Sequence, residues 1–211
     1  MGKLAPLCQN VAALVLVCGF GVAVYSSTYA SGPETVTDAP AEKALCSREF
    51  IASMCTPANS LDAEVQLNCS VDFKVMDCQM AAGRPNVISK RLRLAGASAS
   101  NLVVDLAGAL IDSGSGTYNH RRGDIVEVAS VPLGNNEWSV PRNTMFRNAK
   151  IEGSLRVYGL GKNGEAARVK ASSYNETHIE YVRKNAPSDI TLESLDIKGY
   201  GRTPVYFSPG V

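Results

Sequence analysis

The residues best suited to chemistry lie in a polar, glycine-rich stretch near the middle of the chain. His120, Arg121 and Arg122 follow Tyr118 and precede Asp124. Arginine binds carboxylates and phosphates through parallel, charge-assisted hydrogen bonds. The cluster could therefore hold a uronate or a phosphate group. The alternative interpretation is a solvated loop that holds no ligand.

A second polar group lies further along the chain and consists of Arg168, Lys170, Tyr174 and His178. Arg168 and Lys170 are two positions apart, so on one β-strand their side chains would point to the same side. That arrangement suits a glycan-binding stripe. The alternative is the ordinary outward face of a strand.

The chain has a single tryptophan, Trp138. Together with Tyr118, Tyr158 and Tyr174, it could stack on the apolar C–H faces of sugar rings, because aromatic side chains combine a large apolar face with a polar handle. The alternative is a loop tryptophan that covers the core.

The sequence predicts no metal site and no cofactor. Its two histidines are too few for a histidine-based site. The isolated acids Asp105, Asp124 and Asp196 leave calcium as the alternative, because carboxylate oxygens are its preferred ligands.

Four cysteines lie outside the N-terminal segment: Cys46, Cys55, Cys69 and Cys78. Their even number predicts two disulfides, and zinc is disfavoured because no Cys-x-x-Cys pair and no nearby histidine exists. Residues 41–54 are typical of a short helix. If that helix continues through Cys55, its two cysteines lie about 13 Å apart along the axis, beyond the roughly 7 Å that a disulfide spans. Pairing of Cys46 and Cys55 with the other two is favoured, in either of the two possible combinations.

The first thirty residues have the features of a signal peptide. Lys3 precedes an apolar run from Val11 to Val24, and Thr28 and Ala30 place small residues at the −3 and −1 positions of a cleavage site. We therefore expect a secreted or periplasmic protein with no stable membrane span after cleavage. The alternative is an uncleaved anchor, although the run is short for a bilayer core of roughly 30 Å. Residues 31–40 are predicted to be a disordered linker.

The charge balance excludes one class of partner. The chain has 21 basic and 20 acidic residues. Sequence-independent nucleic-acid binding needs a net positive surface, so we expect no nucleic-acid partner.

The chain also repeats a short β-type segment. Residues 144–153 return as residues 190–199, both ending in Ile-x-Gly, and a looser copy lies at 101–108. Such repetition indicates a repeat architecture. If each coil has about 22 residues, the offset of 46 is two coils. Ile151 and Ile197 then occupy one interior stack, and Gly153 and Gly199 occupy equivalent corners.

Several runs resemble the coils of secreted bacterial right-handed parallel β-helix proteins, the architecture of pectate lyases, polysaccharide epimerases and phage tailspikes. These runs are residues 67–73, 87–100, 104–111, 189–199 and 203–211. The resemblance implies an all-β fold, with a disulfide-stapled helical cap and first strand over 41–86 and about five β-helix coils over 87–211. Since the last residues resemble the start of another coil, it also implies a truncated chain or an end covered by a partner.

Three functions follow from this resemblance. The first is a glycan-binding or catalytically incomplete surface or periplasmic module. The second is a polysaccharide lyase or epimerase acting on uronate-containing glycans, with Arg121, Arg122 or Lys170 in proton abstraction. The third is a structural module that associates with itself through its open C-terminal coil.

Overall fold

Short β-type segments of the sequence become strands, and polar stretches separate them. The structure is a computed structural model that describes residues 42–56, 64–80, 84–112, 124–135, 137–160, 170, 173–200 and 202–208. The predicted signal peptide (1–30) and linker (31–40) lie outside these residues.

Among the described residues, short and long strands alternate with three α-helices, and Lys170 is helical as well. The strands are β1 (Glu64–Gln66), β2 (Val71–Asp72), β3 (Val87–Ile88), β4 (Arg91–Ala95), β5 (Val103–Ile111), β6 (Asp124–Ala129), β7 (Val131–Gly134), β8 (Glu137–Ser139), β9 (Arg142–Glu152), β10 (Ser154–Tyr158), β11 (Ser188–Lys198) and β12 (Val205–Phe207). The helices are α1 (Arg48–Cys55), α2 (Val75–Met80) and α3 (His178–Asn185), and a 3₁₀ turn spans Ala97–Ala99.

The strands form two open parallel sheets. Sheet 1 has the order β1-β4-β6-β10-β12, and sheet 2 has the order β2-β5-β9-β11, with β3 also pairing with β5. From β4 to β6 and from β9 to β12, consecutive strands alternate between the sheets, apart from the antiparallel hairpin β7–β8. Because parallel neighbours need a crossover connection, each strand pairs with one far away in sequence.

Apolar side chains line up in columns across each sheet. In sheet 2 the register aligns four isoleucines on successive strands, namely Ile88, Ile111, Ile151 and Ile197. In sheet 1 it aligns Val65, Leu92, Val126, Leu155 and Val205. Both columns belong to one hydrophobic core, so the two sheets pack on a shared interior.

The repeat offset is the register between two neighbouring strands. Ile151 on β9 is the partner of Ile197 on β11, as expected for one interior stack. The offset of 46 is nevertheless one strand step rather than two coils. The distance along the chain is long because helix α3 and the residues on either side of it lie between β10 and β11.

Helix α1 is held by its cap and by both disulfides. The Ser47 hydroxyl accepts a hydrogen bond from the Phe50 N–H at 3.2 Å, which satisfies one of the free donors of the first turn. Cys46 bonds to Cys69 and Cys55 bonds to Cys78. This is one of the two cross-pairings that the helix prediction favoured, and it attaches α1 both to the segment before β2 and to α2.

Helix α3 carries charges of favourable sign in both of its terminal turns. Its first turn carries Glu180 and its last turn carries Arg183 and Lys184. Charges in this order favour a helix because they oppose the helix dipole. Among the described residues, no helix has the length and apolar character needed to cross a membrane.

The predicted all-β, right-handed parallel β-helix of about five coils is wrong. The described residues form a mixed fold of two open parallel sheets, three helices and an antiparallel hairpin. The sequence argument failed because a period of two identifies a strand without stating its neighbour. It also assumed a coil length that the inserted hairpin and helix do not allow.

We expect the two disulfides to differ in their contribution to stability. Each closes a sequence separation of 23 residues, for which chain entropy predicts about 3 kcal/mol. Cys55 and Cys78 are completely buried, whereas Cys69 is partly exposed. The C55A/C78A variant should therefore lose more free energy of unfolding in urea than C46A/C69A, because it also leaves a core cavity. Equal losses would contradict this ranking.

Candidate functional site

The long strands of sheet 2 each bend at a residue with left-handed backbone geometry. The φ angles are 48° at Ala107 and 80° at Gly108 on β5, 56° at Asn148 on β9, and 52° at Ser194 on β11. Glycine and asparagine tolerate this region, and other residues adopt it at a cost of roughly 1–2 kcal/mol. The bends are therefore a feature that the surrounding packing must stabilise.

The bends lie at the same level of neighbouring strands. Before the bend, Asp105, Arg147 and Glu193 are register partners, and after it, Ala109, Ala149 and Leu195 are partners. One residue separates these levels on β9 and β11, but three separate them on β5. The additional residues form a bulge on β5, which interrupts the pairing with β9.

An open groove of about 480 Å³ crosses the three strands at this level. Ala107 and Gly108 form the part of the groove that lies on β5. On β9 and β11 the groove is lined by the polar residues Asn148, Lys150, Ser194 and Asp196 and by the apolar residues Ala149 and Leu195. Lys150 and Asp196 are register partners on β9 and β11. The groove thus offers an ammonium, a carboxylate, an amide and a hydroxyl along one line.

One carboxylate stabilises the β5 bend. Asp105 Oδ1 accepts hydrogen bonds at 3.0 Å from both Asn148 Nδ2 and the Ala107 N–H, and Oδ2 accepts one at 2.8 Å from Arg147 Nε. Burial by itself raises the pKa of the Asp105 carboxyl. The hydrogen bonds from Asn148, Ala107 and Arg147 outweigh burial, so the pKa lies below its usual value.

A second polar cluster lies on sheet 1 around Asp124, the first residue of β6. Its Oδ1 accepts hydrogen bonds at 3.2 Å from Ser154 and Arg156, and Tyr158 donates its hydroxyl to Oδ2. Arg202 approaches Oδ1 at 3.6 Å. Asp124 thereby connects β6, β10 and the segment that precedes β12.

Burial and charge perturb both partners at the centre of this cluster. Burial raises the pKa of the Asp124 carboxyl, but the hydrogen bonds from Tyr158 and Arg156 and the arginine charge outweigh it, leaving the pKa below its usual value of 3.8. Burial and the Asp124 carboxylate raise the pKa of the Tyr158 hydroxyl far above its usual range. The cluster therefore holds a carboxylate and a protonated phenol at neutral pH.

An exposed aromatic side chain adjoins the Asp124 cluster. The Arg156 guanidinium lies 5.1 Å from the centre of the Tyr206 ring, within cation–π distance. Arg156 belongs to a column with Gln66, Arg93, Glu127 and Tyr206, in which the three central residues Arg93, Glu127 and Arg156 alternate in charge. Glu127 is only 2% exposed and its carboxylate lies 3.4 Å from Arg93 Nε. These contacts connect neighbouring strands of sheet 1 through charged and polar side chains.

Comparison with protein-family models, with curated proteins and with solved structures returned no match. The arrangement of side chains is therefore the basis for any functional argument.

Several residues predicted to bind or react fall outside the described residues: Tyr118, His120, Arg121, Arg122 and Arg168. Of the others, Lys170 is helical and exposed, and Tyr174 is 79% exposed in the turn before α3. Trp138 is buried on β8, and its Nε1 donates to the Tyr181 hydroxyl at 3.0 Å. His178 begins α3. None of these described residues lines the groove.

The acids considered for calcium lie in different environments. Asp105 is paired with Arg147 and Asp124 with Arg156, while Asp196 lines the groove. Within the described ranges, no group of three or more histidines, cysteines or acids is arranged to hold a metal ion.

Sequence reasoning missed the groove residues, although the repeat contained a signal for them. Asn148 and Ser194 are aligned in the repeated segment, whereas Ala107-Gly108 is aligned with Glu152-Gly153 in the looser copy and reaches the level of Asn148 only through the β5 bulge. Small and turn-forming residues at one position of each repeat indicate a shared bend. The terminal glycines of the repeat, Gly153 and Gly199, mark a different position and do not indicate this bend.

The bend on β9 provides a direct test of this geometry. Asn148→Ala should lower the free energy of unfolding by about 2 kcal/mol, about 1 kcal/mol for the lost hydrogen bond and about 1 kcal/mol for alanine in the left-handed region. Asn148→Gly keeps the conformational freedom and should lose about half as much. Urea unfolding measures both, and a glycine variant less stable than the alanine variant would contradict the analysis.

The pKa shift of Asp124 predicts a pH-dependent contribution to stability. Its folded pKa lies below 3.8, so its stabilisation is present above that pH and is lost as the pH falls through the folded pKa. Asp124→Asn should unfold at lower temperature than the parent at pH 7, by the equivalent of about 1–3 kcal/mol. The gap should narrow below pH 4. Thermal unfolding between pH 2 and 7 tests this, and a gap independent of pH would contradict it.

Proposed function

We propose that the protein is exported and binds a polysaccharide in the groove that crosses β5, β9 and β11. The observation that carries this proposal is the alignment of three bends, which brings Asn148, Lys150, Ser194 and Asp196 to one open groove that also exposes apolar surface. The glycan is the ligand class that best fits the shape, the polarity and the charge of this groove.

The shape suits an extended polymer. Pockets for small ligands usually bury most of the ligand surface, whereas this groove is open and runs across the strands. Adjacent strands lie about 4.8 Å apart, so a ligand across the sheet meets the small residues of β5 and then polar side chains on β9 and on β11. A chain of linked sugar rings can contact all three.

The polarity suits hydroxyl-rich or uronate-containing chains. Asn148 and Ser194 can exchange hydrogen bonds with hydroxyls, and Lys150 can bind a carboxylate. Asp196 adds an acceptor of the opposite charge beside Lys150. With a formal net charge of +1 over the whole chain, a polyanion such as nucleic acid gains little general attraction.

Two observations support export. Disulfides form and persist chiefly in oxidising compartments, and the structure contains two of them. The apolar run that precedes Thr28 and Ala30 has the length and the cleavage-site residues of a signal peptide.

Lys150 provides the test of the groove. Binding of the parent to pectate, alginate, hyaluronan and a neutral glucan is measured by calorimetry. We expect Lys150→Ala to weaken binding of the preferred uronate polymer about tenfold, because one charge-assisted hydrogen bond is lost. Lys170→Ala is the matched control, since Lys170 is an exposed lysine outside the groove.

Two outcomes would overturn the proposal. One is an absence of binding by the parent across the whole panel. The other is an equal loss in both variants, which would move the binding surface away from the groove. Circular dichroism of each variant checks that the fold is retained.

A further inference from the structure

Strand β11 presents a long edge. It is the last strand of sheet 2 and pairs with β9 from Ser188 to Lys198. Within the described part of the chain, no strand pairs with its far side. An edge of this kind displays unpaired N–H and C=O groups and is a template for another strand.

The same edge leaves part of the core incompletely covered. On β9 the inward residues Phe146, Ala149 and Ile151 are at most 2% exposed. Their counterparts on β11 are only partly buried against the core, although they are equally apolar. These counterparts are Leu192, Leu195 and Ile197, and Ile190 precedes them. A further strand laid along β11 would complete their burial.

The order of residues along β11 is self-complementary when the strand is reversed. If two copies of β11 lie antiparallel, Asp189 of one copy is opposite Lys198 of the other. In the same register, Ile190 is opposite Ile197 and Leu192 is opposite Leu195. Apolar residues meet apolar residues, and Asp189 meets Lys198, whose ammonium also lies 3.3 Å from Glu152 on β9. The left-handed bend at Ser194 shifts the alternation of faces by one position, which allows this match.

We propose that β11 pairs antiparallel with β11 of a second copy of the chain, about a two-fold axis between Glu193 and Ser194. An isologous interface uses the same patch twice, so each favourable pair occurs twice. This inference concerns the edge of the sheet and is independent of the proposed glycan binding.

Antiparallel pairing is the arrangement that keeps the core continuous. Rotation about an axis normal to the sheet reverses the strand direction and keeps the apolar faces on one side. Rotation about the strand direction would place the apolar face of one copy beside the polar face of the other. The axis also lies next to Ser194, so the bends of the two copies coincide and the sheets can continue through the interface.

Backbone groups on the edge are oriented for this pairing. The carbonyl of the outward-facing Lys198 accepts from the Gly153 N–H and so points back toward β9. Since backbone groups alternate between the two edges, those of Ile190, Leu192, Leu195 and Ile197 point to the free side. The apolar pairs would exchange hydrogen bonds, and outward pairs such as Thr191 with Asp196 would be the closely spaced, non-bonded pairs.

A mixed cysteine experiment tests the register. Thr191→Cys and Asp196→Cys are made in separate chains, both at exposed positions. In the proposed dimer Thr191 of one copy lies opposite Asp196 of the other, within disulfide reach. Two copies of residue 191 lie roughly 15 Å apart from the rise per residue, so neither variant should cross-link with itself.

We expect the mixture to form a cross-linked dimer on mild oxidation, in up to roughly half of the chains, the share that random exchange puts in mixed pairs. Each variant alone should stay uncross-linked. Sedimentation velocity of the parent should show a concentration-dependent dimer. A parent that is monomeric at every concentration, or a dimer whose mixed variants do not cross-link, would overturn the proposal.

Discussion

Four isoleucines on successive strands of sheet 2 occupy one column that faces the core. Each can be buried only if its strand holds one register against its neighbour, because a slip of one residue would turn the whole inward set to solvent. The same condition applies to the aliphatic column of sheet 1. Since both columns pack into one core, the strand register in one sheet depends on the strand register in the other. The bends, the charge columns and the free edge all take their positions from this alignment.

The outward faces follow from the same register. Parallel strands place residues of equal level side by side, so a charge on one strand meets whatever its neighbours carry there. On sheet 1, Arg93, Glu127 and Arg156 alternate in sign, and Asp124 accepts a hydrogen bond from Arg156. On sheet 2, Arg147 lies between Asp105 and Glu193. A buried carboxylate such as that of Glu127 is tolerable only beside a cation, because an isolated buried charge costs several kcal/mol. The register therefore fixes the ion pairs as well as the core.

The sequence indicated local structure better than it indicated which strands lie next to one another in the sheets. The sequence favoured cross-pairing of Cys46 and Cys55 with the other two cysteines, which is confirmed, although α1 begins at Arg48 and Cys46 precedes its N-cap. The repeated segment correctly placed Ile151 beside Ile197. The fold class was wrong because a strand pattern does not state how much chain lies between neighbouring strands, where the structure inserts α3 and the hairpin β7–β8. The sequence placed Asp124 next to a polar cluster. Its partners Ser154, Arg156 and Tyr158 lie on β10, a strand that is distant in sequence. Such a site arises from sheet register, which no single segment encodes.

The bend in sheet 2 connects the groove to the edge. On β9 it is supported on one side, because Asn148 donates to Asp105 on β5. On β11 the corresponding residue, Ser194, has no side-chain amide with which to repeat that hydrogen bond. Among the described residues, no strand pairs with the far side of β11. A left-handed serine at a free edge keeps its conformation only if its neighbours on both sides of the bend stay packed. Leu192 and Leu195 are those neighbours, and both are half-covered. Strand β11 of a second copy, paired along this edge, would bury the leucines and support the bend. The groove would then gain rigidity from the interface that completes the core.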